Sequence, residues 1–455
     1  MTMSILSRKK TSLNMLTDTP GKALFFFAVP IILGNLFQQF YNMVDGIVVA
    51  RFVGEEALAA VGTTYSLANV FIAVATGAGI GSSVVISQFL GARQIDAMKR
   101  AITTTLINFL VLSVVMAAIG LLFCDNILYA LNTPDNVFDE ARTYLSIYFW
   151  GLPFLFLYNA LSSVFNALGD SKTPLKLLIM SSLTNVVLDL VFVVFFHMAV
   201  AGVAIATLIA QGISAVLSFY IMTRRLQTYP SSGRLPLYDR RLSLKIIKIA
   251  IPSIIQQTIV NLGMLLVQSV VNSFGSQVMA GYAAASRFEG ICVIPMVAVG
   301  TAVSTFTAQN MGAGQTARVR KGYHASYRLV IAIAIILCLI LELFGDTLIT
   351  AFLDGDSNAL AFSTGIAYMK FLGFFYVLIG FKCSVDGVLR GSGDTIVFTV
   401  ANLVNLTIRV AFAHIFAPVI GVSAVWYAVP LGWLSNYLIS FFWYLRGKWQ
   451  GNRAI

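Results

Sequence analysis

The chain has 455 residues, of which 58% are hydrophobic and 11% charged, with 30 Lys and Arg against 19 Asp and Glu. Soluble domains carry roughly 25% charged residues, so a water-soluble fold is excluded. The net charge of +11 would suggest a nucleic-acid partner in a soluble protein, but here it must first be set against the basic bias of cytoplasmic loops.

Apolar runs long enough to cross a bilayer core of about 30 Å fill almost the whole sequence. They predict twelve transmembrane spans, at 23–50, 57–88, 101–123, 143–168, 175–196, 199–222, 246–272, 278–308, 326–345, 364–389, 395–416 and 419–445. The first span follows Arg8, Lys9, Lys10 and Lys22 and is too long for the apolar core of a cleaved signal, so it reads as an uncleaved helix. Connections on one side hold only Arg51 and Arg142 as basic residues, beside Glu55, Glu56, Asp125, Asp135, Asp139, Glu140, Asp346, Asp354 and Asp356. The other side carries the remaining loop arginines and lysines, among them Arg93, Lys172, Arg224, Arg225, Arg234, Arg318, Arg320, Arg390, Arg446 and Arg453. This asymmetry predicts cytoplasmic termini in a multi-pass protein of the cell membrane, and it explains the basic balance with no nucleic acid.

The most basic connection, 224–245, contains Pro230, Ser231, Ser232 and Gly233 and reads as a linker. On either side of it the sequence repeats. Ala28-Val29-Pro30 matches Ala250-Ile251-Pro252, Gln88 and Gly91-Ala92 match Gln309 and Gly312-Ala313, and Gly169-Asp170 matches Gly393-Asp394. Asn185 and Asn405, and Gly202-Val203 and Gly421-Val422, continue the register. The expected fold is therefore an all-α polytopic membrane protein, with six-helix lobes at 23–223 and 246–445, a segment 1–22 before them and a tail 446–455 after them. Six is even, so both copies insert the same way up, and their pseudo-two-fold axis runs along the membrane normal.

Chemistry is sought among polar residues inside spans, where ionisable groups are costly and mark function by default. Asp45 in span 1 and Asp189 in span 5 fall at one depth, about 8 to 10 Å from the acidic side at roughly 1.5 Å per residue. Asn185 lies one turn from Asp189 on the same face, and Thr207 in span 6 falls in nearly the same layer. Two carboxylates, an amide and a hydroxyl can hold a proton or offer oxygen ligands to a small hard cation. In the second copy Arg409 replaces Asp189, and Val267 or Gln268 replaces Asp45. Glu289 either faces a central cavity and attracts a cationic substrate or neutralises Arg287. Arg409 is expected to be structural, binding backbone carbonyls or Asp386. Cys124, Cys292, Cys338, Cys383, His197, His324 and His414 show neither disulfide nor metal spacing, so no structural metal or cofactor is expected. Neither a nucleotide-binding loop nor a hydrolase motif occurs, so an enzyme is not expected.

The sequence resembles the multidrug and toxic compound extrusion (MATE) transporters over nearly its whole length. The resemblance rests on Pro30 followed by Gln38-Gln39-Phe40-Tyr41-Asn42-Met43-Val44-Asp45, on Ala308-Gln309-Asn310 with Gly312-Ala313-Gly314, and on the turns Gly169-Asp170-Ser171-Lys172-Thr173-Pro174 and Arg390-Gly391-Ser392-Gly393-Asp394-Thr395. It implies two lobes that alternate access and expel drug-like, often cationic, molecules in exchange for H+ or Na+. It further implies a first-lobe cation site of Tyr41, Asp45, Asn185, Asp189 and Thr207, with transient Na+ at Asp45 and Asp189 as one option. Tyr144 joins these residues or lines a substrate cavity with Glu289, Gln256 and Gln257, and Pro30 is the implied hinge of span 1. Span 7 offers Gln256, Gln257 and Gln268 but no acid, and Asp386 lies close to Arg390, which disfavours the second-lobe cation site found in another branch. A monomer is expected. The alternative is a flippase for a lipid-linked saccharide, which calls for a strongly basic central cavity.

Overall fold

The computed structural model describes residues 14–231, 233, 235–350, 359–451 and 454–455. Arg8, Lys9, Lys10, Ser232, Arg234, Asp354, Asp356 and Arg453, used above for orientation and the linker, lie outside the described residues, as do the side chains of Glu55 and Glu56.

Long apolar sequences satisfy their backbone polar groups within themselves by forming helices. The first lobe comprises α1 (Pro20–Phe52), α2 (Glu55–Gly91), α3 (Ile95–Leu122), a short α4 (Cys124–Ala130), α5 (Asp135–Ala167), α6 (Lys172–Leu190) and α7 (Ala199–Gln227). The second comprises α8 (Arg240–Asn272), α9 (Ser276–Gly312), α10 (Thr316–Thr350), α11 (Ala359–Gly373), α12 (Tyr376–Ser392), α13 (Thr395–Ile420) and α14 (Ser423–Leu445). Among the described residues, 10 helices are long and apolar enough to span a membrane, or 11 if α11 and α12 count as one. The twelfth span is α14, whose apolar run is interrupted by Trp426, Tyr427, Trp433, Tyr437, Trp443 and Tyr444, residues suited to membrane interfaces.

Three expectations need correction. Span 10 is not one continuous helix over 364–389, because α11 and α12 meet at a 50° bend around Phe374 and Phe375. The run between spans 3 and 4 contains α4, which the apolar count missed because it is only 7 residues long. The last two spans part at Gly421, whose φ of 69° ends α13, rather than between 416 and 419.

The repeat is visible in the packing. Helix α1 packs on α6 of its own lobe and on α9 and α10 of the other, and α8 likewise packs on α13, α2 and α3. At the end of the bundle holding the described ends of the chain, the last turns of α2 and α9 cross in backbone contact. A Cβ on Gly91 would lie 1.9 Å from the Gln309 carbonyl oxygen, and one on Gly312 would lie 2.0 Å from that of Gln88. The two glutamines complete the crossing: Gln88 Nε2 donates to the Gly391 carbonyl at 3.0 Å, and Gln309 Nε2 to that of Ala167 at 2.8 Å. Further along, Gly77 and Gly81 admit the backbone of Ile254 and Ala250 on α8. The lobes are thus closed against each other at this end.

Beside this closure, Trp449 is buried (1% exposed) and stacks on Tyr444 with ring centroids 5.4 Å apart, while the Ala454 amide donates to Gln88 Oε1 at 2.8 Å. The tail therefore ties α14 of the second lobe to α2 of the first.

Candidate cation site and second-lobe cavity

Helices α1, α6 and α7 build the first-lobe site. Tyr41 and Asp45 are four residues apart on α1, and Asn185 and Asp189 are four apart on α6, so each pair projects from one helix face. The Tyr41 hydroxyl donates to Asn185 Oδ1. The Asn185 amide nitrogen reaches Asp189 Oδ1 at 3.5 Å and Thr207 Oγ1 at 3.4 Å. Asp45 and Asp189 lie close enough for each to feel the other's charge. Asn185 and Asp189 are 2% and 0% exposed.

Asp45 Oδ1 and Asp189 Oδ2 are buried with no hydrogen-bond partner. Two adjacent carboxylates with an orphaned oxygen each leave a deficit of positive charge, which a proton or a small cation fills. The oxygens of Asp45, Asp189 and Thr207 are hard donors suited to either, while Asn185 turns its amide nitrogen toward Asp189 and Thr207. Among the described residues, no group of three or more His, Cys, Asp or Glu side chains converges as a metal site.

Local chain geometry that hydropathy does not reveal shapes this site. Directly after Asp189, residues Val191–Phe195 widen into a π-helical turn, with the Phe196 amide bonded to the Val191 carbonyl at 3.2 Å. Such turns recur at functional sites. His197 and Ala199 then take left-handed φ values of 51° and 47°, reversing the chain tightly into α7 and bringing Thr207 back opposite Asn185. Val49, Val193, Val200 and Val203 form a small apolar cluster here, with Tyr144 packed against it. Tyr144 therefore sits with the acids of the first lobe, beside Thr207 on a cavity of only about 10 Å³, and not with Glu289.

Glu289, Gln256 and Gln257 line a separate cavity of about 230 Å³ inside the second lobe, together with Lys382, Asp386, Arg390 and Arg409. Glu289 accepts a hydrogen bond from the Tyr368 hydroxyl at 2.7 Å. Arg409, expected to bind backbone carbonyls or Asp386, faces Glu289, Tyr368 and Tyr282. The reason is rotational phase: Asp386 on α12 points toward α14, where Ser440 Oγ donates to it at 2.7 Å, and it pairs with Lys382 one turn away at 3.5 Å. Lys382 is a site residue that the sequence analysis did not single out, although its i, i+4 spacing from Asp386 is legible there. Pro30 lies inside α1, and Pro252 occupies the matching place in α8.

Two six-helix repeats of the same orientation, with ionisable groups inside each, match a secondary-transporter architecture. The sequence profile of the MatE family matches residues 30–191 and 252–415, one stretch in each lobe. The chain is 31% identical over 436 residues to the probable multidrug resistance protein YpnP of Bacillus subtilis (strain 168), covering 95% of this chain and 97% of that protein. It is 29% identical over 433 residues to the probable multidrug resistance protein YoeA of the same organism, covering 93% of each. An outward-facing structure of a multidrug resistance MATE family transporter superposes with a TM-score of 0.88, at 23% identity over 96% of this chain and 98% of that one. The chain belongs to the MatE family. It is thus a multi-pass membrane protein of a transporter family, in the two-lobed, twelve-helix fold.

Proposed function

We propose that this protein is a secondary multidrug exporter of the cell membrane, with cytoplasmic termini, that expels organic molecules in exchange for H+ or Na+ bound at Asp45 and Asp189. The observation that carries the reading is the adjacency of these two carboxylates, each with a buried oxygen lacking a partner. The names of the relatives YpnP and YoeA, both probable multidrug resistance proteins, support the same direction of transport.

The physical logic is differential stability. With the site empty, two carboxylates in a low-dielectric layer repel, at a cost of about 4 kcal/mol for unit charges 4 Å apart at an effective dielectric of 20. A bound cation removes that cost, so occupancy favours the arrangement of α1, α6 and α7 that brings the acids together. Tyr41 and Thr207 hold Asn185 in place between the helices. Pro30, which leaves one carbonyl of α1 without its helical donor, is the point where α1 yields when occupancy changes. Ion and substrate drive net export because they stabilise different states of the lobes. The acidic first lobe and the twelve-span layout weigh against a flippase for lipid-linked saccharide.

The test is efflux of a fluorescent organic cation from proteoliposomes, with H+ and Na+ gradients imposed separately, for wild type, Asp45→Asn and Asp189→Asn. One gradient should drive export, and either substitution should abolish it. Gradient-driven export that survives both substitutions refutes the coupling site.

A further inference from the structure

The second lobe reverses the charge logic of the first. In the repeat, Arg409 on α13 stands where Asp189 stands on α6, and the fully buried Val267, with Gln268 beside it, stands where Asp45 stands on α1. The positive charge that the first lobe must borrow from an ion is covalently fixed in the second.

The cavity around Arg409 is walled by α8, α9, α12, α13 and α14, and it sets three basic side chains, Lys382, Arg390 and Arg409, against two acidic ones, Glu289 and Asp386. Both acids are already served. Asp386 accepts from Ser440 at 2.7 Å, has Lys382 Nζ 3.5 Å away, and takes a further donor when the Asn436 amide is oriented to satisfy its neighbours. Glu289 holds the Tyr368 hydroxyl and the charge of Arg409. Arg390 is spent on the Gly300 carbonyl at 3.3 Å and Ser304 Oγ at 3.2 Å.

Donors without acceptors are what remain. Arg409 Nε is buried with no partner. Lys382, whose side chain is only 13% exposed, directs at most one of its three ammonium donors at Asp386. A cation entering this cavity meets carboxylates that are already paired, whereas an oxyanion meets the excess of positive charge set by Lys382, Arg390 and Arg409 over Glu289 and Asp386. Buried charge is tolerated only when paired. Phe398 and Trp433 supply apolar walls beside these donors.

We propose that the second-lobe cavity is an anion subsite that docks the carboxylate of a transported molecule on Arg409 and Lys382. The exporter then prefers zwitterionic aromatic compounds over the corresponding simple cations. This inference rests on the export reading above and adds the substrate class.

A matched pair of dyes tests it: rhodamine 110, which carries a free carboxylate, and rhodamine 123, its methyl ester. Binding is read by fluorescence anisotropy on the full chain in lipid nanodiscs without any gradient, and export is read in proteoliposomes. Rhodamine 110 should bind on the order of tenfold more tightly than its ester, as a charge-assisted hydrogen bond implies. That ratio should fall toward one in Lys382→Gln. It should also fall in the double variant Glu289→Gln/Arg409→Gln, which removes both partners so that no lone charge is left buried. Equal binding of the two dyes by wild type, or an unchanged ratio in both variants, overturns the subsite while export of both dyes leaves the export reading intact. If folded wild-type protein exports neither dye under either gradient, the export reading fails and the inference with it.

Discussion

Substituting Gly91 or Gly312 by alanine should displace the protein from the state seen here. A Cβ at Gly91 would lie 1.9 Å from the Gln309 carbonyl oxygen and 2.7 Å from its carbon. Ordinary contact needs about 3.5 Å, so α2 and α9 must part by roughly 1.5 Å, and the obstacle is backbone that has no rotamer to escape into. Overpacking of this kind costs about 1 to 3 kcal/mol. Separation also lengthens the bonds from Gln88 to Gly391 and from Gln309 to Ala167, worth about 1 kcal/mol each. A total of roughly 3 to 5 kcal/mol, falling only on the state closed at this end, shifts the two-state ratio by about 150- to 5,000-fold. The assay is pulsed electron-electron spin resonance between labels at Ala92→Cys and Ala313→Cys, in a background with the native cysteines replaced, followed by transport. The distance distribution should move to the separated population in both alanine variants, and turnover should fall. Because the contacts of Gly91 and Gly312 mirror each other, the two variants should behave alike. Unchanged distances and rates in both would refute the argument that this crossing holds the lobes closed.

Three further outcomes are expected. At the turn before α6, burial alone would raise the Asp170 carboxyl, but the Thr173 hydroxyl and amide together with Arg225 outweigh it and hold the pKa below the ordinary carboxylate value. A depressed folded-state pKa stabilises above the unfolded pKa of about 3.9, so the melting-temperature gap between wild type and Asp170→Asn should be constant at neutral pH and close only as pH falls below about 4, where a gap that instead grows on acidification contradicts the sign. Trp449→Ala should cost roughly 3 kcal/mol, since it deletes a buried indole stacked on Tyr444 and its bond to the Tyr444 carbonyl at 3.0 Å, which thermal unfolding followed by intrinsic fluorescence will measure. Tyr41→Phe removes the donor that orients Asn185 and should raise the half-saturating concentration of the coupling ion several-fold, by about 1 kcal/mol, with maximal export rate retained; an unchanged ion dependence would remove Tyr41 from the site.

Much of the architecture is local information. A run of apolar residues long enough to cross a bilayer must be a helix because lipid offers its backbone no partners, and the recurrence of Ala-Val-Pro at Ala28 and Ala-Ile-Pro at Ala250 marks the duplication without any coordinates. The first-lobe residues could be grouped for the same reason: Asp45, Asn185, Asp189 and Thr207 share a depth, and depth follows from counting residues along rigid helices.

Depth does not say which way a side chain turns about its helix axis, and in spans that are apolar on every side the sequence carries little of that phase. Lipid tails are as apolar as leucine, so helix–helix packing leaves a weaker pattern than in soluble proteins. That is why Arg409, expected on backbone carbonyls or Asp386, faces Glu289 of α9, and why Tyr144 belongs with Asp45 rather than with Glu289. The π-helical turn after Asp189, the bend at Phe374 and Phe375, and the glycine crossing of α2 with α9 are equally tertiary. Each depends on what a neighbouring helix presents at that height, which becomes defined only when the helices have packed.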